Sequence, residues 1–278
     1  MALASDFDLR FGGVRRLYGS EAVEVYRRAH ICVVGIGGVG SWVVEALART
    51  AIGRITLVDL DDICITNTNR QIHAVDDNID RSKVEVIAER TRLINPGIVV
   101  EEVEDFVTRN NIPELIDSGF DYVVDAIDSV KEKAALINHC KRNKIPLITI
   151  GGAGGQIDPT RIEVGDLSRT SQDPLAASVR SFLRRHYGFS KSKKKWGVDC
   201  VFSTEQLVYP QPDGSVCQQK SVEDGNTRLD CSGGFGAATC VTASFGFVAV
   251  ARLLKKLTER AQRRSQAQLI AESEAGEG

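Results

Sequence analysis

The chain has 278 residues, of which 42% are hydrophobic and 26% charged, so most of it is expected to fold around a sizeable core. Its formal net charge of −2 excludes a protein that is basic over its whole surface, so any nucleic-acid binding needs a local basic patch. The seven cysteines form no C-x-x-C pair, which gives no support to a structural zinc site. Their odd number and the absence of an apolar N-terminal segment favour reduced thiols and a cytoplasmic location.

Short apolar runs alternate with predicted helices through the first 150 residues. The helices are predicted over 21–30, 39–50, 82–94 and 130–143. The strands are predicted over 31–35, 54–59, 98–103, 122–126 and 145–150. Strands that alternate with helices predict an α/β fold with a doubly wound, mostly parallel sheet.

The pattern changes after Gly155. Segments 161–166 and 201–209 predict antiparallel strands, and Pro212-Asp213-Gly214 predicts a hairpin turn. Between them, 167–199 is polar and basic and lacks a clear period. A long final helix is predicted over 235–260 and a disordered tail over 261–278, so we expect a single domain over 1–260.

Residues 233–251 carry no charge and approach the length of a membrane span. They are rich in Gly, Ala, Ser and Thr, and Arg252, Lys255 and Lys256 follow at once. A buried core helix or a dimer-interface helix is therefore favoured over a membrane span, and no membrane partner is expected.

A glycine motif joins the first predicted strand to the helix after it. Its glycines are Gly35, Gly37, Gly38 and Gly40. Such glycines allow a tight turn and a close approach to phosphate, which the helix N-terminus then attracts. Asp59 closes the second strand, where a carboxylate accepts hydrogen bonds from ribose hydroxyls. The motif indicates a dinucleotide or nucleotide site but does not separate NAD from ATP.

The next segment separates these two ligands. Asn67 and Arg70 follow the acidic strand end, and Lys83 stands at a helix start, where a lysine opposes the helix dipole. A guanidinium and an ammonium suit a triphosphate chain, whereas hydride transfer needs neither. Either residue alone is compatible with a solvated surface charge, but together they favour ATP.

Two acids, Asp125 and Asp128, end the fourth predicted strand, where ligands bind in sheets of this kind. Asp128 suits Mg²⁺, which often takes one carboxylate together with phosphates and water. It also suits the N-cap of the helix that starts at Val130. The spacing leaves both roles open.

These motifs resemble the ubiquitin-activating-like superfamily over about residues 9–153. The resemblance implies that Arg70 and Lys83 contact the phosphates of ATP and that Asp128 supports Mg²⁺. It also implies that Arg10, in Arg10-Phe11-Gly12-Gly13, reaches the ATP of a partner subunit in a homodimer. The implied catalytic residues are Arg10, Asn67, Arg70, Lys83 and Asp128. The implied nucleotide-binding residues are Gly35, Gly37, Gly38, Gly40, Asp59, Asp61, Arg70, Lys83 and Asp128.

Further segments resemble one subgroup, the tRNA threonylcarbamoyladenosine dehydratases, and extend the resemblance to about Lys256. They are 67–73, 151–159, 197–203 and 234–239. The subgroup implies ATP-dependent cyclisation of threonylcarbamoyladenosine beside the anticodon of tRNA. The alternative is adenylation of a ubiquitin-like sulfur carrier, with sulfur-transfer proteins as partners, although the zinc-binding cysteine pairs usual in such enzymes are missing. An NAD-dependent oxidoreductase is disfavoured by Arg70 and Lys83.

A basic stretch, 180–195, holds four lysines and three arginines, with Tyr187 interleaved and Trp196 next to it. It predicts contacts to tRNA phosphates and stacking on an unpaired base, or else a merely solvated loop. The superfamily resemblance places 167–199 as a crossover loop above the active site. Cys200 and Cys231 are weak candidates for a nucleophile, because neither has a histidine beside it.

Overall fold

The computed structural model describes residues 6–192, 194–211, 213–218 and 235–276. Its helices are α1 (Asp6–Tyr18), α2 (Ser20–Arg28), α3 (Gly40–Arg49), α4 (Lys83–Ile94), α5 (Ile112–Leu115), α6 (Val130–Arg142), α7 (Pro174–His186) and α8 (Thr239–Gly276). Its strands are β1 (His30–Val34), β2 (Arg54–Val58), β3 (Val99–Val103), β4 (Tyr122–Asp125), β5 (Leu147–Ile150), β6 (Ile162–Asp166), β7 (Asp199–Ser203), β8 (Tyr209–Pro210) and β9 (Val216–Cys217).

In the described residues, seven strands form one sheet in the order β3-β2-β1-β4-β5-β7-β6. All neighbouring pairs are parallel except β6 with β7. The predicted doubly wound, mostly parallel fold is therefore confirmed. The strand order reverses between β1 and β4, and in such sheets ligands bind at the carboxyl ends of the strands where this reversal occurs.

Each face of the sheet is covered by its own set of helices. Ile31 and Val33 of β1 pack with residues of α2, α3, α4 and α8 in one core cluster. Cys32 and Val34 of the same strand pack with residues of α5, α6 and α7 in the other. Because alternate strand residues face opposite sides, the continuous apolar run 31–34 predicts burial on both faces.

The segment 167–199 differs from its prediction as a loop above the active site. It contains the 13-residue helix α7, whose N-cap Asp173 accepts a hydrogen bond from the Gly152 N–H (3.1 Å) just after β5. After α7 the chain enters β7, which runs parallel to β5. The segment begins at the amino edge, where the Leu167 N–H donates to the Val198 carbonyl, and it reaches the carboxyl edge at Asp173. Helix α7 then descends to the amino edge, so the basic end of the segment lies far from the predicted position.

Segments 161–166 and 201–209 were expected to pair antiparallel, and β6 and β7 do so. Strand β7 also pairs in parallel with β5, because β6 first returns the chain from the carboxyl edge of the sheet to its amino edge. One further prediction is corrected. The terminal helix continues to Gly276 rather than ending near Arg260 before a disordered tail at 261–278. Ala, Gln and Arg make up eight of the 13 residues in 261–273, and these are strong helix formers. Within the described residues, no helix is long and apolar enough to cross a membrane.

Candidate nucleotide and substrate cleft

A cleft of about 1270 Å³ opens at the carboxyl edge of the sheet, where β1 and β4 diverge. Its walls come from the ends of β1, β2 and β4, from the loops that follow them, and from the start of α8. Except for Gly40 and Arg10, every predicted site residue lines it: Gly35, Gly37, Gly38, Asp59, Asp61, Asn67, Arg70, Lys83 and Asp128. The structure therefore brings together residues that are 93 positions apart in the chain (35 to 128).

Two glycines of the motif, Gly35 and Gly40, are packed too closely against the backbone to accept side chains. Gly35 has φ +88°, and a Cβ there would lie 2.9 Å from the Ala126 carbonyl oxygen. A Cβ at Gly40 would lie 1.7 Å from the Gly35 carbonyl oxygen, so Gly40 permits the close strand-to-helix turn without itself lining the cleft. At Gly37 nothing lies within 4 Å of such an atom, which leaves the backbone open to a ligand at the N-terminus of α3.

Asp59 ties the glycine motif to the loop after β2. Its carboxylate accepts from the N–H of Ile36 (2.6 Å) and from the N–H of Asp61 (2.9 Å). Burial raises the pKa of Asp59, while Lys83 and these two N–H groups oppose that rise. Each carboxylate oxygen has a second lone pair, so both can still accept a hydroxyl from a ligand.

Lys83 lies at the start of α4 with only 7% of its side chain exposed, and its ammonium donates to the Asp61 carboxylate at 2.7 Å. The pair explains how a lysine is tolerated at a helix N-terminus: the neighbouring acid offsets its charge. An ammonium has three donors, so two remain for an anion in the cleft.

Arg70 lies directly against the glycine motif, because a Cβ at Gly38 would be 3.0 Å from Arg70 Cγ. Its guanidinium donates to the Thr66 carbonyl and the Asn69 side-chain oxygen, each at 3.1 Å. Among the described residues it has no carboxylate within 4.0 Å, so its charge is available to a ligand. Asn67 is buried, and its side-chain oxygen accepts from the Cys64 N–H (3.1 Å), which gives Asn67 a role in shaping the loop that carries Arg70.

Asp128 is exposed in the cleft just beyond β4. The N-cap of α6 is Ser129, so capping by Asp128 is wrong and its carboxylate remains available to a ligand. No group of three or more His, Cys, Asp or Glu in the described part of the chain could hold a metal ion. A single carboxylate together with phosphates still fits Mg²⁺, which often keeps waters in its remaining positions.

Arg10 lies outside this cleft. It belongs to α1, where it pairs with Asp6 at 2.8 Å and keeps 40% of its side chain exposed. It does not line the cleft of its own chain.

A buried ion pair that was not predicted from the sequence lies beneath Asp128. Lys133 is 1% exposed, and its ammonium lies 3.0 Å from the Asp125 carboxylate and donates to the Ile127 carbonyl at 2.9 Å. Thr149 donates to the same carboxylate at 2.6 Å. Burial raises the pKa of Asp125, and Lys133 opposes the rise. The signal was present in the sequence: Lys133 stands on the apolar face of α6 with Ile137 and Cys140.

His73 was also missed as a buried polar residue. It is 2% exposed, and neither ring nitrogen has a hydrogen-bond partner. Burial and the nearby Lys83 lower its pKa to about 4. The imidazole is therefore neutral at physiological pH and leaves the charge of Lys83 undisturbed.

The far wall of the cleft is formed by Gly151-Gly152-Ala153-Gly154 together with Phe235 and Leu175. A Cβ at Gly155 would lie 2.7 Å from the Phe235 ring, and the Gly155 N–H donates to the Gly236 carbonyl at 2.8 Å. The absence of side chains at these glycines lets Phe235 and Gly236, which precede α8, pack directly against this wall of the cleft. Cys200 does not line the cleft, and burial raises the pKa of its thiol, which argues against a nucleophile. Cys231 lies outside the described residues.

Comparisons with known proteins agree with this geometry. The ThiF family matches residues 13–274. The tRNA threonylcarbamoyladenosine dehydratase of Escherichia coli is 62% identical over 91% of this chain and 95% of its own length. A crystal structure of the E. coli dehydratase in complex with ATP has a TM-score of 0.83 and 56% identity, and covers 95% of this chain and 99% of that one.

A more distant relative is the molybdopterin-synthase adenylyltransferase of Haemophilus influenzae, 31% identical over 45% of this chain and 51% of its own length. Its likeness is confined to under half of the chain. The protein belongs to the ThiF family and, within it, to the tRNA threonylcarbamoyladenosine dehydratases.

Proposed function

We propose that this protein uses ATP to dehydrate threonylcarbamoyladenosine beside the anticodon of tRNA, closing a ring on the modified nucleotide. The observation that carries the proposal is the convergence of Arg70, Lys83 and Asp128 on one cleft beside an open glycine turn. Membership in the dehydratase family indicates the substrate, and the cleft contains cationic and acidic groups that suit ATP and Mg²⁺.

ATP would bind with its phosphates at the N-terminus of α3, where the backbone near Gly37 is open. Asp59 would accept the ribose hydroxyls with its remaining lone pairs. Arg70 and Lys83 would hold the phosphate chain, since one has no carboxylate partner among the described residues and the other retains two free donors. When bound with the nucleotide, Mg²⁺ would neutralise phosphate charge beside Asp128.

The cleft is larger than the ~1,000 Å³ upper range typical of small-ligand sites, so it has room for a nucleotide and a second substrate. A carboxylate oxygen of the threonylcarbamoyl group would attack ATP at the γ-phosphorus, forming an acyl phosphate and expelling ADP, or at the α-phosphorus, forming an adenylate and expelling pyrophosphate. Arg70 and Lys83 would stabilise the charge that develops on the phosphoryl oxygens.

The substrate's own ureido group would then attack the activated carbonyl. A ring forms, the phosphorylated leaving group departs with one carboxylate oxygen, and the substrate has lost the elements of water. Because the nucleophile is intramolecular, proximity replaces a covalent enzyme intermediate. The raised pKa and burial of the Cys200 thiol support a route without a thioester to that cysteine.

The alternative, adenylation of a sulfur-carrier protein, would use the same ATP-binding groups. Two features weigh against it: the likeness to the adenylyltransferase spans under half of this chain, and the paired cysteines of a zinc site are missing. Incubation with ATP, Mg²⁺ and tRNA bearing threonylcarbamoyladenosine should give a nucleoside lighter by one water, measured by mass spectrometry. Unchanged nucleoside together with adenylation of a carrier protein would favour the alternative instead.

We also propose a homodimer in which Arg10 completes the partner's cleft. The support is that Arg10 lies outside its own cleft, on a helix where Leu9 and Leu17 are 72% and 75% exposed. Arg10→Ala and Lys83→Ala should each be inactive alone. A mixture should regain about a quarter of the wild-type activity, because hybrid dimers carry one intact site. No recovery in verified hybrids, or an active monomer in sedimentation, would contradict the shared site.

A further inference from the structure

The basic end of the segment 167–199 lies at the amino edge of the sheet, opposite the cleft. The 13-residue helix α7 begins beside Gly152 at the cleft and ends at His186, so its ends are about 20 Å apart. Helix α6 runs the same way, from Asp128 at the cleft to Arg142 at the far edge. The basic residues that end both helices therefore lie at the same edge.

The two helices and the loop after α7 form one basic surface, which we call the ridge. It comprises Lys141, Arg142, Lys144, Arg185, Lys191, Lys194 and Lys195. Its parts meet directly: the ammonium of Lys141 lies 3.0 Å from the position of a Cβ on Gly197, two residues beyond Lys195. All seven side chains belong to exposed residues.

The ridge has no acidic counterpart within the described residues. No Asp or Glu occurs in 133–157 or in 174–198. Among the residues that the structure describes, no carboxylate lies within 4.0 Å of any of the seven ridge residues. By contrast, Arg49, Arg54 and Arg92 each pair with a glutamate elsewhere on the surface. In a chain with a net charge of −2, seven unpaired cations on one edge form a strong local positive field.

The loop of the ridge is held in place rather than merely solvated. Trp196 is 7% exposed, and its indole N–H donates to the Ser190 carbonyl at 3.2 Å. The Asp166 carboxylate accepts from the N–H groups of Trp196 (3.0 Å) and Gly197 (2.7 Å). The prediction that Trp196 stacks on an unpaired base is therefore wrong: the ring packs on Phe189 and beneath Arg184, and it fixes the position of the neighbouring lysines.

We propose that the ridge binds the phosphate backbone of the tRNA body while the modified nucleotide occupies the cleft about 20 Å away. Exposed cations that have no carboxylate within 4.0 Å among the described residues suit phosphates, which are contacted regardless of base sequence. The spacing suits one long polyanion that reaches both edges of the sheet. The inference rests on the proposed function, which identifies the RNA as tRNA. Compensation of the two helix C-terminal dipoles explains Arg142 and Arg185 but not the lysines beyond α7.

The test replaces Lys141, Arg142, Arg185 and Lys195 with Gln in the full-length protein. The control carries the same loss of charge at paired or isolated positions: Arg49, Arg54, Arg92 and Lys255 to Gln. A second control exchanges the same four ridge residues between lysine and arginine, so that each position keeps its positive charge. Binding of transcribed tRNA is measured by filter retention at several salt concentrations, and ATP binding by calorimetry.

The ridge variant should lose about tenfold or more in tRNA affinity and flatten the log–log salt slope by up to about 4, one for each lost phosphate contact. Both controls should bind tRNA as the wild type does, and ATP binding should be unchanged throughout. A short single-stranded anticodon oligonucleotide, too small to span both edges, should bind the variant and the wild type equally.

Two results would overturn the proposal: equal tRNA affinity and slope in the ridge variant and the wild type, or an equal loss in the charge-matched control. A parallel loss of binding to the short oligonucleotide would also contradict it, since the ridge would then act through the cleft. These results are separable from a failure of the proposed function. If wild-type protein binds tRNA through the ridge but removes no water from threonylcarbamoyladenosine, only the proposed reaction fails.

Discussion

The two edges of the sheet use the same charged residue types in opposite ways. At the carboxyl edge the lysines are buried and bonded: Lys83 to Asp61 at 2.7 Å, and Lys133 to Asp125 at 3.0 Å. At the amino edge the ridge lysines are exposed and have no carboxylate within 4.0 Å among the described residues. Buried, fixed charges stabilise charge that develops at one point, while free, exposed charges attract a long polyanion. The two proposals thus give charge a catalytic role at one edge and a binding role at the other.

The largest effect should come from removing one fixed cation. Arg70→Ala and Lys83→Ala should each lower turnover by about 100-fold or more, because each removes a group positioned for the phosphates. The matched change Lys195→Ala should lower turnover at saturating tRNA by less than about threefold, since one ridge cation is a small part of a diffuse contact. Steady-state rates of the folded variants measure the difference between the cleft and the ridge. A severe loss of turnover in Lys195→Ala with mild losses in Arg70→Ala and Lys83→Ala would contradict the assigned roles of the two edges.

A smaller effect, on stability, should follow from opening the buried pair at the cleft. Lys133→Met should reduce the free energy of unfolding by about 3–5 kcal/mol, because the Asp125 carboxylate would be left buried without its cation. The double variant with Asp125→Asn should recover part of this loss. Chemical denaturation measures both. If Lys133→Met costs no more than an exposed Lys255→Met, the buried pair does not stabilise the cleft edge.

The smallest effect concerns pH. The pKa of His73 is lowered to about 4 by burial and by Lys83, whereas an unfolded histidine titrates near 6.5. As the pH falls from about 6.5 to about 4, the unfolded state binds this proton first, so stability decreases by up to ~1.4 kcal/mol per pH unit. His73→Gln should lose this part of the dependence. Denaturation at pH 7.5 and pH 5 compares the two proteins, and parallel pH profiles would show that His73 is not buried as a neutral ring.

The cleft could be largely predicted from the sequence because its residues follow strand ends. Gly35, Asp59 and Asp128 each come just after a short apolar run, and in a parallel sheet such ends meet at one edge. Arg70 and Lys83 were predicted as phosphate-binding residues because both are cations that follow the acidic end of the second strand. The role proposed for Arg10 does not follow from strand ends, because it depends on packing between two subunits.

The basic stretch 180–195 was predicted, but its position at the amino edge and its union with the end of α6 could not be. The basic residues of the ridge come from two segments, and only the packing of α6 against α7 brings Lys141 to Gly197. The direction of α7 decides which edge of the sheet the lysines reach. Helix α7 itself was not predicted, because segment 167–199 shows no clear hydrophobic period. The role of Trp196 was likewise decided by tertiary contacts with Phe189 and Arg184, which a residue list cannot show.

The central claim is that the cleft activates a substrate carboxylate with ATP, and an oxygen label tests it most directly. The carboxylate of threonylcarbamoyladenosine in tRNA is labelled with heavy oxygen, and the products of one turnover are analysed by mass spectrometry. The account predicts that one labelled oxygen appears in AMP or in phosphate, which also distinguishes the adenylate from the acyl phosphate. Labelled oxygen released only as water, with none in either product, would contradict the account.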